Sequence, residues 1–359
     1  MAEPEVQEPA PRRGAAWRDW RVWLGIAISV ASIGYVVRGV PLDEVRDAMA
    51  RADLWLLIAL SVPAYVFQVA LRALRWRHLT NPVAEVPRWT LYRAQSLGFM
   101  VNNLLPLRLG ELLRAWYLAR ESGASGAAII GTVVLERVLD VVSLLAVVTG
   151  ALFLIGSDDN GAGMLSQGAR LLVPVAAAPL AGLIALKLAP GGFMAVARWI
   201  CRPLPPRLGE WVEHALARFA EGLGALSGGS HLFWIVLHSA VIWLVAATLP
   251  VYAAVVAFGL DLGGPTQTLV VCWILLAASG VAVSLPSAPG YFGPYQLAFK
   301  EVLVRFGVEP ATALALGMMV WVVFWITLVV QGLLVAGAPW RSLGALPRQS
   351  RKDPAPDRR

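Results

Sequence analysis

Long apolar segments alternate with short charged ones along most of the sequence. Residues 222–260, 262–299 and 310–340 contain no Asp, Glu, Lys or Arg, and shorter charge-free runs lie at 22–37, 54–71, 141–157 and 171–186. A helix needs about 20 apolar residues to cross a bilayer. The pattern therefore predicts an all-α, polytopic integral membrane protein. The ten-residue alternation that a transmembrane β-barrel would show is not visible.

Six segments are predicted to be full crossings, at about 22–38, 54–74, 126–155, 169–188, 230–258 and 311–337. Lys and Arg are concentrated at both ends of the chain, with four in residues 1–21 and six in residues 341–359. Because cytoplasmic loops are rich in these residues, we expect both termini in the cytoplasm and an even number of crossings.

Two further apolar segments, 88–120 and 266–306, are broken by proline and glycine. In each, a Pro-x-x-x-Gly motif follows eight or nine residues after a glycine. We predict that both are re-entrant helical hairpins, entering from opposite sides as an inverted repeat, which is typical of transporter sites. Alternatively, the breaks only kink two ordinary helices. A competing count treats 267–285 as another full crossing, which needs a partner crossing elsewhere. The residues at the tips are Pro106, Gly110, Pro286, Pro289, Gly290 and Gly293.

The chain divides into two membrane halves on this basis. The first half covers 21–188 with the first hairpin, and the second covers 230–340 with the second hairpin. Residues 189–229 are predicted to be a cytoplasmic or interfacial linker helix, because apolar residues recur there at helical spacing. We expect disordered tails at 1–20, which is cytoplasmic, and at 341–359, which is basic.

Composition narrows the class of protein. Hydrophobic residues make up 58% of the 359 residues and charged residues 15%, which excludes a soluble enzyme and a disordered chain. We expect a multi-pass protein of a cytoplasmic membrane. The net charge of +7 lies beside the apolar runs and does not indicate a nucleic-acid partner. Seven tryptophans flank those runs and are interpreted as interfacial anchors: residues 17, 20, 23, 55, 76, 89 and 340.

Metal or redox chemistry is not indicated. The two cysteines, Cys201 and Cys272, are far apart, and no Cys-x-x-Cys pair occurs. The four histidines do not combine with carboxylates at ligand spacing, although His231 and His238 share one helix face. We therefore expect no metal and no cofactor.

Arginine and amide side chains are concentrated in and before the first hairpin. Helix ends, free backbone N–H groups and guanidinium groups together suit an anionic oxygen group, which in a membrane is a lipid phosphate. Arg72 and Arg75 lie in the last turns of an apolar helix, where an unpaired charge is costly. Snorkelling to the interface could also explain several of these arginines. The candidate headgroup-binding residues are Arg72, Arg75, Asn102, Asn103, Arg108, Arg114 and, in the second hairpin, Gln296.

A second candidate cluster consists of Glu136, Arg137 and Asp140, in the middle of the crossing 126–155. Each ionised group at the bilayer centre costs about 2.5–3.5 kcal/mol, so these residues must face protein or water. Glu111 is the expected external partner of Arg137. The charge network either lines a translocation path or locks the two halves together, and the sequence leaves both open.

Three ordered motifs resemble one family. They are the run Asn102–Arg114 with Pro106, Arg108, Gly110 and Glu111, the run Glu136–Asp140, and the run Pro286–Gly293. Together they are similar to the flippase-like transmembrane domain of lysylphosphatidylglycerol synthases, over roughly 20–337. The resemblance implies a helical, repeat-containing, lipid translocase-like fold. Many members of this family have Glu where this chain has Gln296, and an Arg in the last helix where it has Met318–Trp321.

The leading functional hypothesis is a membrane lipid translocase, not an enzyme, that moves an anionic or zwitterionic lipid. Phospholipid, aminoacyl-phospholipid and polyprenyl-phosphate-linked lipid all fit. No aminoacyltransferase domain follows residue 337, so we expect a stand-alone member of the family. The alternatives are an integral-membrane, lipid-linked glycosyltransferase, for which Asp158 and Asp159 are the acidic pair, or a non-transporting scaffold. Membrane lipids are the expected partners, and a lipid-modifying or glycosyltransferase enzyme is a candidate partner.

Overall fold

The computed structural model describes residues 20–106, 108–155, 190–201, 229–285 and 287–336. Their regular secondary structure is helical throughout. A π-helical turn at Val241–Ala246 joins the helices Gly229–Ala240 and Thr248–Ala257, and a short 3₁₀ turn at Pro289–Tyr291 precedes the helix Pro294–Arg305. The described α-helices are α1 Trp20–Val37, α2 Leu42–Arg51, α3 Leu54–Thr80, α4 Arg88–Leu104, α5 Leu109–Ser122, α6 Gly126–Ile155, α7 Pro190–Cys201, α8 Gly229–Ala240, α9 Thr248–Ala257, α10 Pro265–Ser284, α11 Pro294–Arg305 and α12 Pro310–Ala336.

Four helical segments in these ranges are long and apolar enough to cross a membrane: Leu54–Thr80, His231–Ala257, Pro265–Ser284 and Pro310–Ala336. α1 and α2 form a further candidate as a bent pair, with an angle of 84° between them. The chain is thus a multi-pass membrane protein. Because α10 is long enough to cross by itself, length alone does not decide between a re-entrant arm and a full crossing there. The predicted crossing 169–188, both tails and linker residues 202–228 lie outside the described residues.

Capping residues and prolines mark where several helices begin. The Asp53 side chain accepts a hydrogen bond from the Leu56 N–H (3.0 Å) and so caps α3. Pro265 and Pro294 occupy the first positions of α10 and α11, where the missing N–H costs nothing. The two prolines thus mark where both arms of the second hairpin begin.

Both predicted breaks are present. In the first hairpin, α4 ends at Leu104, the backbone turns, and α5 packs back along α4. In the second hairpin, α10 ends at Ser284 and α11 packs back along α10. The arms of the first hairpin approach closely, since a Cβ added to Gly98 would lie 3.1 Å from the Gly110 carbonyl oxygen. Small residues at this crossing are what allow the backbones to meet.

The helices of the two halves pack in the same pattern. In the first half α3 contacts α4 and α6, and in the second half α9 contacts α10 and α12. α5 packs on α6 as α11 packs on α12. The hairpins are exchanged between halves, because α4 packs on α12 and α10 packs on α6. This reciprocal packing brings the two breaks together, since a Cβ added to Gly290 would lie 3.4 Å from the Asn103 carbonyl oxygen.

α1 covers one side of the second hairpin. The Ser29 hydroxyl accepts a hydrogen bond from the Ala288 N–H (2.8 Å). A Cβ added to Gly293, whose φ is +101°, would lie 2.7 Å from the Ser29 carbonyl oxygen. The break of the second hairpin therefore packs directly against α1.

Candidate functional site

The charged residues of α6 lie at the centre of the site. The exposed fraction is 0% for Glu136 and 7% for Asp140. α6 is otherwise apolar along most of its 30 residues, so the two carboxylates need partners from other helices. Those partners come from α3, α4 and α5.

Two arginines of α3 bind Asp140. Arg72 Nη1 donates to Oδ2 at 2.8 Å, and Arg75 Nη2 donates to Oδ1 at 2.7 Å. Arg75 Nη1 also donates to the Ser239 hydroxyl of α8 (3.1 Å). Each carboxylate oxygen thus receives its own guanidinium, which is a strong arrangement at a buried position. Arg72 and Arg75 are buried with Asp140, so they are not interfacial anchors.

Glu136 is held by the first hairpin. Arg114 Nη1 of α5 donates to Glu136 Oε2 at 2.8 Å, and Gln95 Nε2 of α4 donates to the same oxygen at 3.1 Å. Arg114 Nη1 also donates to Gln95 Oε1. The two arms of the first hairpin therefore meet on one carboxylate of α6.

Trp76 corrects one expectation from the sequence. Its exposed fraction is 0%, its Nε1 donates to the Thr132 hydroxyl (2.9 Å), and the Arg114 guanidinium lies over its ring at 4.9 Å from the centroid. It is a buried cation–π partner rather than an interfacial anchor. Trp23, Trp55 and Trp89, in contrast, are exposed.

Arg137 lies at the accessible edge of the cluster. Its side chain is 34% exposed and approaches three carboxylates: Glu136 at 3.3 Å, Asp140 at 3.4 Å and Glu111 at 3.6 Å. The Glu111 pairing is the one expected from the sequence. The charge network so formed has four guanidinium groups and three carboxylates, which leaves one positive charge in excess: Arg72, Arg75, Arg114, Arg137, Glu111, Glu136 and Asp140.

Several donors of this network have no acceptor among the described residues. Nε and Nη2 of Arg114 and Nε of Arg75 are buried and make no hydrogen bond there. Buried guanidinium N–H groups without an acceptor are costly. The network therefore has both an excess of positive charge and unused donors, and both properties suit an oxyanion.

The two breaks lie beside this edge. Arg108, at the start of α5, has a φ of 53° and donates through Nη2 to the Val283 carbonyl in the last turn of α10. Tyr291, in the break of the second hairpin, has a φ of 63°. A Cβ added to its neighbour Gly290 would lie 3.4 Å from the Asn103 carbonyl oxygen of the first hairpin. The two breaks thus meet close to the start of α5, from which Glu111 pairs with Arg137 at the exposed edge of the charge network.

Three of the predicted headgroup ligands make hydrogen bonds at the breaks. Asn102 Oδ1 accepts from the Gly110 N–H (2.8 Å), Asn103 Nδ2 donates to the Phe99 carbonyl (2.9 Å), and Gln296 Oε1 accepts from the Gly293 N–H (2.7 Å). These contacts replace helix hydrogen bonds that the breaks remove. Pro106, Gly110, Pro289, Gly290 and Gly293 lie in or beside the breaks as predicted. Pro286 lies outside the described residues.

Four residues of the site were missed by the sequence analysis: Gln95, Ser239, Trp321 and Trp325. Gln95 is a buried amide in α4 and Ser239 a buried hydroxyl in α8, and neither stands near its partner in the sequence. Trp321 was noted only as replacing an arginine. It is the twelfth residue of α12, as Arg137 is of α6. Comparing equivalent positions in the two halves could have indicated it.

Three histidines meet elsewhere, where α3 ends and α8 begins. His78 Nδ1 lies 3.2 Å from His231 Nδ1, and the rings of His78 and His238 are 5.7 Å apart. Within the described ranges, no group of three His, Cys, Asp or Glu residues has an arrangement that could hold a metal ion. The charge network is therefore the candidate functional site.

The comparisons with known proteins agree with this architecture. A family model described as the lysylphosphatidylglycerol synthase TM region matches residues 22–338. The "UPF0104 membrane protein" of Methanothermobacter thermautotrophicus is 26% identical over 306 residues, which cover 81% of this chain and 87% of that protein. The "Glycosyltransferase AglD" of Haloferax volcanii is 25% identical over 322 residues, covering 81% of this chain.

The chain spans about half the length of that glycosyltransferase-named relative, 50% of which is matched. No solved structure matches the chain. The family match covers nearly all described helices, including both hairpins and the charge network. The chain therefore belongs to the family of the lysylphosphatidylglycerol synthase transmembrane region.

Proposed function

We propose that the chain is a lipid translocase that moves an anionic or zwitterionic lipid across the cytoplasmic membrane. The carrying observation is the charge network, which places four guanidinium groups against three carboxylates among apolar helices. A lipid phosphate supplies the negative charge and the acceptor oxygens that this network lacks. Phospholipid, aminoacyl-phospholipid and polyprenyl-phosphate-linked lipids all carry such a group.

The two hairpins supply the route. In this proposal they enter from opposite sides of the membrane, with both termini in the cytoplasm, and meet at the exposed edge of the charge network. The headgroup is drawn to Arg137, whose side chain is 34% exposed, and to Arg108 at the start of α5, whereas Arg72 and Arg75 are buried against Asp140. The acyl chains stay in the lipid. Opening of one hairpin and then the other exposes the headgroup to each leaflet in turn.

The chain moves the lipid and does not modify it in this proposal, so a partner makes or consumes the cargo. A lipid-modifying enzyme or a glycosyltransferase fits this role. The glycosyltransferase-named relative supports such a pairing, since the match covers about half of that protein. The acidic pair Asp158 and Asp159, on which the alternative of a glycosyltransferase rests, lies outside the described residues.

The proposal is tested with the full chain reconstituted in liposomes of phosphatidylcholine that contain fluorescent phosphatidylglycerol. Bleaching of the outer leaflet reports how fast inner-leaflet lipid reaches the surface. Wild type should accelerate this exchange, and Arg137→Gln should slow it at least tenfold, because it removes the excess positive charge. Arg46→Gln removes the same charge from the exposed face of α2 and should leave the rate unchanged.

Repeating the assay with an aminoacyl-phosphatidylglycerol and a polyprenyl phosphate identifies the cargo. The proposal is wrong if wild type moves none of the three lipids with or without a proton gradient. It is equally wrong if Arg137→Gln and Arg46→Gln have the same effect.

A further inference from the structure

Two tryptophans of α12 hold the two breaks. Trp321 Nε1 donates to the Gly290 carbonyl in the second hairpin at 2.6 Å. Trp325 Nε1 donates to the Asn103 carbonyl in the first hairpin at 3.1 Å. The two tryptophans are four residues apart, so they lie one above the other on the same face of α12. One helix thus contacts the break of each hairpin through the same type of bond.

These bonds form where the backbone has lost its own partners. Asn103 and Gly290 lie at the points where α4 ends and where the second hairpin turns, so their carbonyls are not in continuous helix. A carbonyl without a partner is costly in an apolar environment. An indole N–H suits this position, because it donates without accepting and sits on a large rigid ring.

The breaks and the tryptophans also pack against each other. A Cβ added to Gly290 would lie 2.8 Å from Trp325 Cδ1 and 3.4 Å from the Asn103 carbonyl oxygen. The Phe292 ring lies 4.9 Å from the Trp321 ring, and the rings of Trp321 and Trp325 are 6.3 Å apart. A displacement of either break therefore has to move rings that the other break contacts.

We infer that Trp321 and Trp325 are positioning residues that tie both breaks to α12, so that a disturbance of one break is transmitted to the other. Arg108 is placed by this tie, since it lies five residues after Asn103 and contacts the other hairpin at Val283. As far as lipid movement is concerned, the inference rests on the proposed function. The positioning itself does not require transport and can be measured without it.

The experiment measures the accessibility of each break. Leu105 and Leu285 lie at the two breaks and are 45% and 47% exposed. Leu105→Cys or Leu285→Cys is introduced into the full chain with Cys201→Ser, while Cys272 is fully buried and is kept. The protein is reconstituted in phosphatidylcholine liposomes that contain about one quarter phosphatidylglycerol by mole. Alkylation by a small maleimide is then followed over time.

Trp325→Phe keeps most of the ring but removes the N–H. It should accelerate alkylation at Leu105→Cys by about fivefold to thirtyfold, the range that loss of one buried hydrogen bond allows. Trp321→Phe should do the same at Leu285→Cys. Because the breaks are coupled, each variant should also accelerate alkylation at the opposite break by at least about twofold.

Trp273→Phe is the matched control. The buried Nε1 of Trp273 has no hydrogen-bond partner among the described residues, so removing its N–H should leave both alkylation rates unchanged. If Trp325→Phe or Trp321→Phe fails to fold, benzothienylalanine at the same position keeps the ring shape without the N–H. The same increases are expected with it.

The inference is overturned if alkylation changes only at the break whose bond was removed, or if Trp273→Phe has an equal effect. It is also overturned if neither tryptophan variant alters either alkylation rate, whether or not wild type moves lipid. Coupled changes in alkylation in a protein that moves no lipid would support the tie and contradict the proposed translocase function.

Discussion

Arg108 and Tyr291 occupy equivalent positions in the two hairpins. Each follows a proline by two residues and precedes a glycine by two, and each has a left-handed backbone, with φ of 53° and 63°. They are the two non-glycine residues with positive φ in the described ranges. A strained backbone of this kind costs about 1–3 kcal/mol per residue and tends to occur at functional sites. One break presents a guanidinium and the other a phenol, so the repeat is symmetric in backbone and asymmetric in charge.

Replacing Arg108 with glycine or alanine separates backbone from charge. Both variants lose the guanidinium, so both should lose lipid exchange to the same degree. Glycine adopts positive φ without strain, so Arg108→Gly should be more stable than Arg108→Ala by about 1 kcal/mol. Thermal unfolding in detergent and the liposome assay give the two readouts. Equal stability of the two variants would contradict the strained turn.

The excess positive charge makes the network more sensitive to loss of an anion than of a cation. Asp140→Asn leaves Arg72 and Arg75 without their carboxylate and should cost about 3–5 kcal/mol. Arg72→Gln leaves Asp140 bonded to Arg75 and should cost less. The double variant should be more stable than Asp140→Asn alone, with a coupling energy of at least about 1 kcal/mol. Additive losses in thermal unfolding would show that the charges act independently.

Gln95 is the neutral residue that bonds two ions of the charge network. It donates to Glu136 and accepts from Arg114, so Gln95→Leu removes one hydrogen-bond partner from each of these buried ions and should cost about 1–3 kcal/mol. Gln68→Leu in α3 is the comparison, since Gln68 is half-buried. Unfolding temperatures of the two variants check this difference. A smaller decrease in unfolding temperature for Gln95→Leu than for Gln68→Leu would contradict a stabilising role of Gln95 in the charge network.

Gly110→Ala should disrupt the first hairpin. The added Cβ would meet the Gly98 carbonyl oxygen and come within 2.9 Å of the Asn102 side chain, so the arms would have to separate. A cost of about 1–3 kcal/mol is expected from such overpacking. Gly131→Ala in α6 meets nothing within 4 Å and should instead gain about 0.5–1 kcal/mol. Opposite shifts in thermal unfolding are expected, and shifts of the same sign would contradict the close crossing.

Much of this architecture is predictable from the sequence, because apolar length and Pro/Gly breaks are local properties. The predicted crossings 54–74, 230–258 and 311–337 correspond to Leu54–Thr80, His231–Ala257 and Pro310–Ala336. The need to pair Arg72 and Arg75 also follows from their positions in an apolar helix. The spacing of residues in the sequence does not identify a partner on another helix. Arg75 lies 65 residues from Asp140, and Trp325 lies 222 residues from Asn103.

Tryptophan shows a second limit of prediction. Trp55 and Trp76 both flank apolar runs, yet Trp55 is 83% exposed and Trp76 is fully buried. The amphipathic ring suits an interfacial position and a buried hydrogen bond equally well. Only the packing of α3 against α5 and α6 separates the two outcomes.

The exchanged packing of the hairpins bears on how the protein is assembled. Each half provides the surface on which the other half's hairpin comes to rest, α12 for α4 and α6 for α10. Neither half alone contains the helix against which its own hairpin packs. The first hairpin is therefore fully packed only after the last helix has been synthesised and inserted, and a truncated chain should be susceptible to degradation.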